Sequence, residues 1–348
     1  MPLKITPKKS PIAENTSFIN FFLIYRHKFK YFSASSMFLK PLINPKPSII
    51  LFFIVFCVLF TVFPLIQFDL ATVFSHPSLP PLIVLLLAIT LPFFLSIGLS
   101  NIIYEKNIIR KENLVIAGVF ILISPTFLNT VELWASSLLV LFLFNFLLES
   151  YQKDLPFSQF YNASMILGVL TFAYPNIICL VLVLIISGIN YGNLNWRISF
   201  TIFLGLITPY LSCFVFVFVA EKSFVTPKFF AFSQNSFSAI QECPPSKAIW
   251  FAVLLLVITF SFFELFTWLY KKSIKSRRTF MTIVWFFIIS FLIAAYSSWE
   301  YFYFSLLPLA IIIGNYFVYT KKRKIANVLF ALLVISSFYY KYTIAFNV

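Results

Sequence analysis

Ten runs of roughly 15 to 24 mostly apolar residues follow one another through this chain, and no other feature restricts its fold as much. They are Ser48 to Ile66, Pro81 to Tyr104, Leu114 to Leu128, Leu133 to Leu148, Ala163 to Gly188, Ile198 to Ala220, Ala248 to Tyr270, Thr279 to Ser297, Tyr301 to Thr320 and Ile325 to Phe346. With 61% hydrophobic and only 11% charged residues, a water-soluble fold could not bury enough of the chain. The expected fold class is all-α, a polytopic transmembrane helix bundle.

The charge is as telling as the apolar runs. A formal +15 would suggest nucleic acid in a soluble protein, but here the basic residues stand in short runs beside apolar segments, so they mark orientation in a bilayer and no nucleic-acid partner is expected. With the N-terminus in the cytoplasm, ten crossings would put the basic loop Lys271 to Arg278 outside, against the retention of Lys- and Arg-rich loops on the inner side. One crossing is therefore missing between residues 105–113 and Lys271.

The stretch "ASMILGVLTFAYPNIICLVLVLIISG", Ala163 to Gly188, is the place to find it. Pro175 has no amide hydrogen and disfavours a helical residue before it, so Tyr174 can be the tip of a turn, with Phe157 to Tyr174 rising and Pro175 to Tyr191 returning. The competing reading is one proline-kinked helix. Charge favours the pair. With about 11 helices, 22 of the 26 basic residues lie inside and only Lys222, Lys228, Lys247 and Lys341 outside.

This organisation gives a basic cytoplasmic tail over 1–47, a single transmembrane domain over 48–348 and an outer loop at 221–247. No signal peptide is expected, because the first long apolar run follows eight Lys or Arg residues. Residues 1–36 read either as a mis-called extension, since Met37 opens a natural-looking start, or as a basic surface-hugging tail.

An acid-base site should open on the outer face, which carries Asp69, His76, Glu132, Glu221, Glu242 and Glu300, whereas the inner face is mostly basic. Asp69, just past the first helix, stands out, with a solvated loop acid as the plain alternative. Glu132 in "SPTFLNTVELW" and Glu300 in "SSWEYFYF" occupy short turns ringed by aromatics and read either as functional carboxylates or as polar turn residues. Glu264, near the cytoplasmic Lys271, is expected to snorkel or pair with a lysine. His76 has no companion at ligand spacing, and no phosphate-binding glycine motif occurs, so no metal and no cofactor are expected.

The segments "SPTFLNTVELWASSLLVLFLFNFLLES", "FYNASMILGVLTFAYPNIICLVLVLIISG" and "NLNWRISFTIFLGLITPYL" resemble an uncharacterised family of multi-pass inner-membrane proteins of Bacteroidota, over roughly Met37 to the C-terminus. The order of short helices, Tyr-Pro tip and Asn-Trp-Arg loop is similar, more distantly, to membrane glycosyltransferases that use polyprenyl-phosphate-linked sugars. That likeness implies a first-loop carboxylate as general base, a role open only to Asp69, with Lys222 or Lys228 offsetting the lipid phosphate. The first outer loop departs from such enzymes in having one acid and no basic residue. Three readings follow: a glycosyltransferase-like protein of cell-envelope glycan assembly, a non-enzymatic membrane scaffold or partner subunit, and a lipid or solute transporter. All three have membrane lipids as partners.

Overall fold

A computed structural model of the protein describes residues 39–43, 45–62, 81–124, 131–151, 153–221, 245–297 and 301–346. Among these residues the fold is all-helical. The helices are α1 (Leu39–Leu42), α2 (Pro47–Val62), α3 (Pro81–Glu105), α4 (Val115–Ile123), α5 (Val131–Glu149), α6 (Phe157–Ala173), α7 (Val181–Tyr191), α8 (Trp196–Val219), α9 (Pro245–Leu269), α10 (Ile274–Tyr296), α11 (Phe302–Tyr319) and α12 (Arg323–Phe346). A 3₁₀ segment, Pro175–Leu180, joins α6 to α7. Six of the described helices are long and apolar enough to cross a membrane, and shorter apolar helices accompany them.

α11 forms the axis of the bundle, packed by α4, α5, α9, α10 and α12. Every residue from Phe302 to Val318 is buried. In a bilayer the apolar solvent removes the hydrophobic drive between helices, so close packing must hold them together. Three of the chain's seven glycines, Gly168, Gly205 and Gly314, sit at close helix crossings. A Cβ on Gly314 of α11 would come within 2.6 Å of Ile116 Cγ1 on α4. Likewise, a Cβ on Gly168 of α6 would meet the Leu206 carbonyl of α8 at 2.7 Å, and one on Gly205 of α8 would meet the Tyr161 carbonyl of α6 at 2.7 Å.

The chain reverses at Tyr174. Tyr174 is extended, with φ −130° and ψ 81°, as the following proline requires, and α6 ends there. α7 then comes back to where α6 began: Asn193 Nδ2 donates to the Ser150 carbonyl at 2.8 Å, and the Tyr191 and Tyr151 rings meet edge-on at 5.1 Å. Gly192, at φ +75°, closes α7 in the left-handed conformation that glycine tolerates. The 3₁₀ turns lengthen the returning arm. At about 2.0 Å per residue for the 3₁₀ segment and about 1.5 Å for α7, the two together extend about 28 Å.

Only part of the run Leu114 to Leu128 is described. The described helix α4 stops at Ile123, nine residues that rise only about 14 Å, with Ser124 buried at its end and residues 125–130 outside the described set. At the end of the basic tail, α1 packs into the bundle through Leu39, Ile43 pairs with Asn113, and the Leu114 N–H donates to the Leu42 carbonyl at 2.9 Å. Glu264 meets no lysine within salt-bridge reach among the described residues.

Candidate functional site

The two ends of the bundle differ in chemistry. One end gathers the basic loops. Arg110 N–H donates to the Tyr319 hydroxyl at 3.2 Å, which ties the α3–α4 loop to the end of α11. Lys272, in the α9–α10 turn, places its ammonium 4.4 Å from the Tyr319 ring centre and 4.9 Å from that of Trp268. Lys275 lies 5.7 Å from the Tyr151 ring, beside the returning end of α7. Arg323 donates to the Phe317 and Val318 carbonyls at 3.0 Å each and so caps α11. The 105–113, 271–278 and 321–324 segments, separate in sequence, thus share one end.

Among the described residues, the opposite end is aromatic and weakly charged. There the Tyr-Pro tip docks on the turn between α10 and α11: Asn176 Nδ2 donates to Ser297 Oγ at 2.8 Å, and the Tyr174 ring meets Tyr301 at 5.7 Å and Phe304 at 5.2 Å, both edge-on. The start of α5 joins them through Trp134, whose ring meets Tyr303 at 5.6 Å. Glu132 stands exposed in the first turn of α5, where a negative charge also favours the helix dipole. Asn176, Ser297 and Trp134 escaped the sequence analysis, because a polar or aromatic residue beside a turn gives no sign of which distant turn it meets.

Of the proposed catalytic and phosphate-binding residues, only Glu132 is described. It lies on the same end as Ser297 and Tyr301, the residues flanking Glu300. Asp69, Glu300, Lys222 and Lys228 lie outside the described residues, as does His76. Lys341, expected in an outer position, is buried and donates to the Phe60 carbonyl, with its ammonium 3.8 Å from the Phe60 ring centre. Its aliphatic stem covers apolar surface while the carbonyl takes the charge.

The basic-end cluster of Arg110, Lys111, Lys272, Trp268 and Tyr319 was also missed as a unit. Its one legible signal was the spacing of Trp268 and Lys272, four residues apart at the end of an apolar run. Lys272 has its amine pushed below the usual lysine range, first by burial and then by the charges of Arg110 and Lys111.

These features define a multi-pass helical membrane protein with one cationic end and one aromatic end. No family model, no curated protein and no solved structure matches the chain.

Proposed function

We propose that this is an inner-membrane protein of about 11 crossings, with a cytoplasmic N-terminus, that acts at its outer end on lipid-linked sugars in cell-envelope glycan assembly. The observation that carries the proposal is the segregation just described: the basic loops gather at one end, while the Tyr-Pro tip, the start of α5 and the flanks of Glu300 converge at the other. A reversal at Tyr174 supports the odd number of crossings that keeps every strongly basic loop inside. On this reading Asp69 serves as general base toward the acceptor, Glu132 and Glu300 assist on the same face, and Lys222 and Lys228 offset the phosphate of the leaving lipid.

The test is a deletion strain profiled for lipid-linked and envelope glycans. A changed profile is expected, restored by the wild-type gene and not by Asp69→Asn, with the variant protein still accumulating in the membrane. A normal profile in the deletion strain overturns the proposal. Orientation is tested separately with single cysteines at Gly192 and Ser273 in a chain whose native cysteines are replaced. Both should resist an impermeant reagent applied from outside.

A second reading is a partner subunit without catalysis, favoured by α8. This helix packs chiefly on α6 and leaves Phe200, Phe203, Phe214 and Phe218 exposed. Its mark would be copurification with a fixed membrane partner, together with tolerance of substitution at every outer carboxylate.

A further inference from the structure

At the basic end, cations from two loops surround a single aromatic pair. Lys272 and Lys111 both stand over the Tyr319 ring, at 4.4 Å and 5.8 Å from its centre, and Arg110 is fastened to the Tyr319 hydroxyl through its own backbone. Packing holds the platform still: Trp268 meets Phe280 at 4.9 Å and Tyr319 at 5.2 Å.

None of the three cations meets a carboxylate within salt-bridge reach among the described residues. The acids of the neighbouring segments are engaged elsewhere. Glu105 accepts from Asn101 Nδ2 at 2.8 Å, and Glu112 faces the Tyr104 hydroxyl. Like charges held together on a rigid surface repel one another, and an anion bound between them relieves that repulsion. The Lys272 amine lies below the usual lysine range, first through burial and then through the charges of Arg110 and Lys111.

We infer that Arg110, Lys111 and Lys272, set on the Trp268–Tyr319 platform, bind the phosphate of an anionic membrane lipid. A phosphate offers several oxygens to a guanidinium and two ammonium groups, and tryptophan and tyrosine favour the headgroup level. The cluster stands at the ends of α9 and α11, both long and apolar enough to cross a membrane, and that headgroup level marks a lipid rather than a free anion as the source. This site is independent of the reading of the opposite end.

The full chain, purified in detergent with equal amounts of phosphatidylglycerol and phosphatidylcholine, tests the inference by native mass spectrometry of retained lipid. Preference for phosphatidylglycerol of about tenfold or more is expected, falling about tenfold in Lys111→Gln with Lys272→Gln. Arg110→Gln, which keeps the backbone bond to Tyr319, is a milder variant and should lose about fivefold. Lys153→Gln is the control, because Lys153 already pairs with Glu149 at 2.7 Å, and it should leave the preference unchanged. Equal retention of the two lipids by the wild-type chain overturns the site, as does a preference that survives in both Arg110→Gln and the double variant. Displacement of the lipid by millimolar inorganic phosphate overturns the lipid as its ligand.

Discussion

Helices α11 and α8 are both long and apolar enough to span a bilayer, yet 94% of one span is buried and only 11% of the other. The more apolar helix is the exposed one. In water that order would be reversed, but lipid tails are as apolar as leucine, so hydrophobicity does not draw a helix inward. Close fit and polar contacts do so instead. The buried α11 carries Ser305, Pro308, Gly314 and Asn315, whereas the exposed face of α8 carries phenylalanine, leucine and valine.

The strongest way to break this comparison is to spoil the fit of α11. Gly314→Leu would drive a side chain into Ile116, whose Cγ1 stands 2.6 Å from the first added carbon, and should cost about 3 kcal/mol or more. The loss would be read as a lowered melting temperature in detergent and reduced accumulation. Unchanged melting would mean that the axis is not held by close packing.

Gly205→Leu tests the one close interface of α8. The added carbon would run into Ser164 Oγ and meet the Tyr161 carbonyl at 2.7 Å, and a cost of about 2 kcal/mol is expected. Melting should fall less than for Gly314→Leu, because only one helix pair is disturbed. A larger fall would move the structural centre of the bundle to the α6–α8 pair.

Asn176→Ala removes the 2.8 Å bond from the Tyr-Pro tip to Ser297 and should cost about 1 kcal/mol. Proteolysis or hydrogen exchange near Tyr174 would report the loosened tip. The smallest effect belongs to Phe214→Leu on the exposed face of α8, within about 0.5 kcal/mol of the wild type. A marked loss there would point to a protein partner rather than lipid against α8.

Much of this architecture was legible in the residues. Pro175 disfavours a helical Tyr174, and with the placement of the basic loops it pointed to the break between Phe157 and Tyr191. The ends of α8, α9 and α10 fall close to the ends of their apolar runs. Gly168, Gly205 and Gly314 mark close helix contacts that composition did not reveal, because a missing Cβ matters only at the crossing where it falls. As for the candidate sites, Glu132 could be singled out by its place in a short turn. The Arg110–Lys111–Lys272 cluster could not, since its members are joined only through the ring of Tyr319.

By itself the sequence determined that this chain is a helical membrane bundle, where most of its helices run and where one of them doubles back, because apolar length, proline geometry and charge act locally along the chain. Only the tertiary structure decided which helix is the axis, which loops share an end and which cations surround one aromatic pair. Those outcomes depend on contacts between residues as far apart as Arg110 and Tyr319, and in an apolar solvent shape complementarity rather than hydropathy selects them.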